Sequence, residues 1–72
     1  MNISIRDHIV ENFLNDSEEI IRDAINSSVL ENDEEVLPGL GVFFTLMWEN
    51  ADDSVKATTV KLIREKLDQI KQ

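Results

Sequence analysis

The sequence predicts an all-α protein, a small four-helix bundle. Four segments repeat apolar residues at the three- and four-residue spacing that places them on one face of a helix. Each segment begins near a serine, an aspartate or a proline, and these residues suit helix starts. The run over residues 40–48 contains strand-forming Val and Phe, but no second strand exists with which it could pair. We therefore expect helices over residues 4–14, 17–31, 38–50 and 53–70.

The first two helices are predicted from amphipathic periodicity. The first has apolar residues every four positions, at Ile5, Ile9 and Phe13. Ser4 can cap this helix, and either Asp16 or Ser17 can cap the second one. The second helix has a poorly marked end, because the acidic run over residues 31–35 suits either a solvated connection or a frayed last turn.

The third helix is predicted to be central and buried, since residues 40–48 are apolar almost all round. Pro38 suits its first turn, where the missing amide hydrogen would have been unpaired in any case. We interpret Gly39 and Gly41 as positions that let a neighbouring helix approach closely.

The fourth helix is predicted to be amphipathic and basic. Either Asp52 or Asp53 can cap its start. Its apolar residues follow a three-four-three spacing at Val60, Ile63, Leu67 and Ile70. Its basic residues lie on the solvent side and favour its C-terminal end; they are Lys56, Lys61, Arg64, Lys66 and Lys71.

Chain length limits the protein to one domain, residues 1–72, because so short a chain cannot build a second core. The absence of cysteine excludes disulfides and thiolate metal sites, which fits a reducing, intracellular compartment. A folded chain of this mass exposes about 4,600 Å², against about 12,000 Å² when it is unfolded. The stabilisation from this burial is similar in size to the cost of ordering the chain, so we expect a marginally stable fold.

Charge is distributed unevenly along the chain, whose net charge is −8. Residues 1–53 contain two basic and thirteen acidic side chains, whereas residues 54–72 contain five basic and two acidic ones. An acidic body disfavours duplex DNA and anionic membranes as partners, and only the basic last segment could contact phosphate. Neither a signal peptide nor a transmembrane segment is expected, since charged residues interrupt the N-terminal apolar positions and the longest apolar run is too short.

Catalysis is not expected, because the residues it requires are scarce. The chain has one histidine, His8, which we place at the surface of the first helix, and it has neither cysteine nor tyrosine. The acidic runs lack the turn glycine and the final glutamate of a calcium-binding EF-hand loop. We therefore predict no catalytic residue, no metal, no cofactor and no small-molecule substrate.

Aromatic residues of the third helix are the candidate interaction surface. Phe44 and Trp48 share one face of the helix, and Phe43 and Met47 share an adjacent one. Two interpretations stay open: the four side chains form ordinary helix core, or one face contacts an unknown protein partner or a second copy in a homodimer.

The same segment carries a resemblance to a known family. Its signature residues are Leu37, Pro38, Gly39, Leu40, Gly41, Val42 and Phe43, followed by Trp48, Asn50 and Ala51. With weaker matches upstream, this pattern resembles the minor small acid-soluble spore protein I family of spore-forming Firmicutes. The chain is about four residues longer than the family pattern before Leu37, roughly one helical turn. That turn lengthens either the second helix or its exit loop.

The resemblance implies expression in the forespore and residence in the spore core. It assigns no molecular activity to any residue, and it does not imply the DNA coating typical of the separate α/β-type spore proteins. Our first hypothesis is a non-enzymatic spore-core protein that acts by protein contact or as a stored protein. The alternative is association with nucleic acid through the basic last helix, with Lys56, Arg64 and Lys71 as phosphate contacts.

Overall fold

The computed structural model describes residues 4–71, which form four helices and contain no strand. Helix α1 spans Ile5–Phe13, α2 spans Glu18–Glu31, α3 spans Leu37–Asn50 and α4 spans Asp53–Lys71. The predicted all-α class and the order of the four helices are confirmed, and each predicted helix end lies within one residue of the observed one.

Side-chain caps fix the starts of three helices. The hydroxyl of Ser4 accepts a hydrogen bond from the backbone N–H of Asp7 at 2.9 Å, as predicted. Of the two candidates for α2, Ser17 is the cap, and its Oγ accepts from the N–H of Ile20 at 3.3 Å. Of the two candidates for α4, Asp52 is the cap, because its Oδ1 accepts from the N–H of Val55 at 2.9 Å.

The connection between α2 and α3 is a tight turn. Asn32 ends α2 in the left-handed conformation, with φ 49° and ψ 41°, and its N–H donates to the carbonyl of Ser28 at 3.1 Å. The N–H of Val36 then donates to the carbonyl of Asp33 at 3.1 Å. The Asp33 carboxylate accepts from the N–H of Glu35 at 3.3 Å. The acidic run is therefore an ordered connection rather than a frayed helical turn.

Helix α3 is central, because it packs against both α1 and α2. Phe13 of α1 meets Phe43 of α3 edge to face, with ring centroids 5.0 Å apart. The degree of burial differs from the prediction: among residues 4–71 no side chain is fully buried, and the inward residues of α3 are half-buried. Three short helices cannot enclose a fourth completely, so α3 is covered on part of its circumference only.

The two glycines do not have the role predicted for them. Both lie inside α3 with ordinary negative φ. A Cβ atom on Gly39 would lie 3.8 Å from Cδ1 of Ile9, an ordinary contact distance, and a Cβ on Gly41 would meet nothing within 4 Å. The close approach of a neighbouring helix therefore requires neither glycine. Pro38, in contrast, occupies the first turn of α3 as predicted.

Helix α4 packs only sparsely against the other three helices. Its start is fixed by the short connection after Asn50, and most of its length lies away from the rest of the bundle. The molecule measures 43 × 29 × 28 Å and has a radius of gyration of 13.9 Å, whereas a compact chain of this length has about 11 Å. The accessible surface is 6242 Å², well above the roughly 4,600 Å² expected from mass alone.

Candidate interaction surface

An open apolar groove of about 690 Å³ lies between the first three helices. Its walls are formed by Ile9 and Phe13 of α1, Ile21 and Ile25 of α2, and Leu46 and Met47 of α3. Leu14 and Val55, from the end of α1 and the start of α4, also line it. This apolar groove exists because the three helices direct their apolar faces toward one another without closing the space between them.

The four residues predicted to form an interaction surface lie on two different surfaces of the molecule. Phe43 and Met47 line the apolar groove. Phe44 and Trp48 stack on each other outside it, with ring centroids 5.6 Å apart and an interplanar angle of 21°. The ammonium of Lys56 lies 5.4 Å from the centre of the Trp48 ring, so Trp48 also contacts the first turn of α4.

An ion pair ties α1 to the last turn of α3. Both terminal nitrogens of Arg6 donate to the carboxylate oxygens of Glu49, each at 2.9 Å. The hydrogen bond from Arg6 lowers the pKa of the Glu49 carboxyl, and the same bond raises the pKa of Arg6. Both side chains are about half exposed. The two residues are distant in sequence and amphipathic patterning does not specify such a pair, so the ion pair could not be predicted from the sequence.

The basic residues proposed for phosphate contact are partly occupied within the chain. Lys56 lies over Trp48, and the guanidinium of Arg64 pairs with the carboxylate of Asp68 at 3.0 Å, one turn further along α4. Lys71 lies in the last turn of α4. Two of the three residues predicted to contact phosphate therefore already interact with side chains of their own chain.

The apolar stripe of α4, formed by Val60, Ile63, Leu67 and Ile70, is 46–67% exposed. Its three-four-three spacing is the repeat of residues that meet a partner helix along a seam. In this chain no described helix covers the stripe. The stripe and the apolar groove are therefore two apolar surfaces that remain open to solvent.

In residues 4–71 the acidic side chains and His8 form no grouping that could hold a metal ion. None of the helices in this part of the chain combines the length and the apolar character required to cross a membrane.

The fold and its surfaces define a small, acidic, all-helical protein built around an aromatic central helix. The family model "Small, acid-soluble spore protein I" matches residues 3–67, and the chain belongs to this family. The resemblance predicted from the residues around Leu37–Ala51 is thereby confirmed. These residues form α3 and the position that ends it, where the N–H of Ala51 donates to the carbonyl of Trp48 at 3.3 Å.

Curated proteins named small, acid-soluble spore protein I are similar to the chain over most of its length. The protein of Bacillus cytotoxicus is 27% identical over 93% of this chain and 96% of its own length. That of Bacillus velezensis is 29% identical over 88% of this chain and 89% of its own. That of Bacillus mycoides is 32% identical over 78% of this chain and 81% of its own. No solved structure matches the chain.

Proposed function

We propose that this protein resides in the spore core and acts there without catalysis, through contact with another protein chain. Membership of the spore protein family supports the location. The observation that carries the mode of action is the open apolar groove, which leaves Leu46, Met47 and Phe43 accessible between the helices of residues 4–71. Filling the groove with larger side chains would increase the free energy of unfolding. An open groove that forgoes this stability favours a binding role over storage alone.

Absence of catalysis is supported by the nature of the groove lining. Its walls are almost wholly aliphatic and aromatic, with Asn50 as the polar exception. His8 is exposed on α1 and does not line the groove. An apolar surface without an aligned nucleophile and base suits binding of a protein segment rather than conversion of a substrate.

Location is tested by fractionating purified spores into coat and core and detecting the protein with an antibody. We expect it in the core extract and absent from the coat fraction. Recovery from the coat alone would refute the proposed residence.

Protein contact is tested by placing a photo-reactive amino acid in the groove of the protein expressed in sporulating cells. Leu14 lines the groove and is 68% exposed, whereas Leu30 is 85% exposed and lies outside it, so replacement at Leu30 is the matched control. We expect defined cross-linked species from position 14 and none from position 30. A stored protein would give no adduct from either position and would disappear during germination.

A further inference from the structure

We propose that the chain forms a homodimer in which the apolar stripe of α4 from each copy lies in the apolar groove of the other. This inference rests on the proposed contact through the apolar groove and names a second copy of the chain as the partner, but it does not depend on the proposed location in the spore. It rests on the two uncovered apolar surfaces, on the accessible area of the chain and on the distribution of charge.

The chain exposes more surface than a compact monomer of its mass, and the excess over two copies lies in the range that homodimer interfaces bury. The accessible surface of 6242 Å² exceeds the expectation for a compact monomer by about 1,600 Å². Two copies thus expose about 3,300 Å² more than two compact monomers would, and obligate homodimers bury roughly 2,000–5,000 Å² in total. The groove and the stripe together provide the apolar surface for such an interface.

The chain's own α4 does not fill its groove. The connection from α3 to α4 is two residues long, Ala51 and Asp52. Val55, in the first turn of α4, contributes to the end of the groove, and the remaining turns carry the stripe away from it. A second copy can supply the same stripe without this restriction.

Charge favours the groove over a second α4 as the partner of the stripe. The stripe is flanked by Arg64, Lys66 and Lys71 on the helical surface. Two α4 helices packed on each other would bring these cations together whether they ran parallel or antiparallel. The body formed by residues 1–53 has a net charge of −11, and residues 54–72 have a net charge of +3. Glu18, one turn before Ile21, lines a neighbouring hollow together with Arg22, so the charge complementarity rests on the net charges of the two segments.

Reciprocal exchange of α4 also satisfies the symmetry of a dimer. Each copy offers one stripe and one groove, so a two-fold axis generates two identical contacts and leaves neither surface open. A head-to-tail arrangement would instead leave one stripe and one groove exposed at the ends and would continue to grow.

Sedimentation velocity of the full chain, combined with matched variants, tests the proposal. Leu67→Glu places a charge in the stripe, and Leu62→Glu places the same charge on another face of α4, where Leu62 is 60% exposed. Leu14→Glu places a charge at the groove, with Leu30→Glu as its control. All four leucines are exposed, so circular dichroism should show unchanged helix content. We expect wild type, Leu62→Glu and Leu30→Glu to be dimers, and the dimer dissociation constant to rise at least about tenfold in Leu67→Glu and in Leu14→Glu.

Mixing the two defective variants distinguishes reciprocal exchange from other dimers. The Leu67→Glu chain retains an intact groove, and the Leu14→Glu chain retains an intact stripe, so their mixture can form one of the two contacts. We expect a heterodimer in the mixture at concentrations where each variant alone is a monomer. A monomeric wild type, equal weakening by Leu62→Glu, or a Leu14→Glu variant that dimerises like wild type would each overturn the proposal. The last result would indicate pairing of α4 with α4.

Discussion

The Arg6–Glu49 pair joins side chains 43 positions apart and connects the first helix to the end of the third. Folding lowers the pKa of Glu49 through the hydrogen bond from Arg6. The contribution of the pair is therefore complete above the unfolded pKa, near 4.5. It is lost as the pH falls through the lower pKa of the folded state. The pair is exposed to solvent and should make a small contribution.

Glu49→Gln should lower the urea midpoint slightly at about pH 7, and this difference from wild type should be smaller at about pH 3, because the contribution of the pair is lost as the pH falls through the lowered pKa of Glu49. Equilibrium urea unfolding at the two pH values measures the difference. Glu34→Gln removes the same charge from the acidic turn, away from Arg6, and corrects for the change in net charge. A difference between wild type and Glu49→Gln that persisted unchanged at acid pH would contradict the assignment.

Gly41 provides a second test at a single position, because its environment has room for a side chain. Glycine inside a helix costs about 0.5–1 kcal/mol relative to alanine. A Cβ at this position meets nothing within 4 Å, so Gly41→Ala should stabilise the fold by about that amount. Chemical denaturation measures the gain. Gly39→Ala should also stabilise the fold, because its Cβ would add a contact to Ile9. A loss of stability in both variants would indicate that the glycines are needed for the close approach of a neighbouring helix.

Helix boundaries were the most predictable feature of this chain. Capping serines and aspartates are local signals, and Ser4 was identified from sequence alone, whereas the choice between Asp52 and Asp53 required the geometry of the first turn. The end of α2 at residue 31 agrees with the prediction, but Asn32 was not identified as its cap, although asparagine is, after glycine, the residue most suited to the left-handed conformation found there.

The surfaces could be predicted only in part. Helical spacing correctly separated Phe43 and Met47 from Phe44 and Trp48, since faces of a helix follow from sequence periodicity. Periodicity does not specify how closely three helices approach, and so it indicated neither the apolar groove nor the partial exposure of α3.

Loss of the cap on α4 should affect this helix more than the remainder of the molecule. Asp52→Ala removes the bond to the N–H of Val55, at a cost of about 0.5–2 kcal/mol. Because α4 packs sparsely within its own chain, we expect, in the weakly associating Leu67→Glu background, faster amide exchange in α4 and little change in α1 to α3. Hydrogen exchange monitored by NMR measures both. Asp53→Ala keeps the capping bond and is the control; equal effects of the two variants would contradict the assignment of Asp52 as the cap.

For the molecule as a whole, the small buried area makes the stability of the fold depend on dimer formation. The chain removes about half of the roughly 12,000 Å² of its unfolded state from solvent, less than the roughly 60% typical of domains of this size. Net stability is a small difference between burial and conformational entropy. Apolar surface that is covered by a second copy therefore adds a large fraction to the free energy of unfolding.

The thermal unfolding midpoint should therefore rise with protein concentration. Binding to the folded state alone stabilises it by mass action, so a dimer that dissociates on unfolding has a concentration-dependent midpoint. Circular dichroism melts from about 5 µM to about 500 µM should show the rise in wild type and in Leu62→Glu, and a smaller rise in Leu67→Glu. A constant midpoint in wild type would mean that the folded monomer is stable with its groove and stripe exposed. An equal rise in all three proteins would place the interface elsewhere than on the stripe of α4.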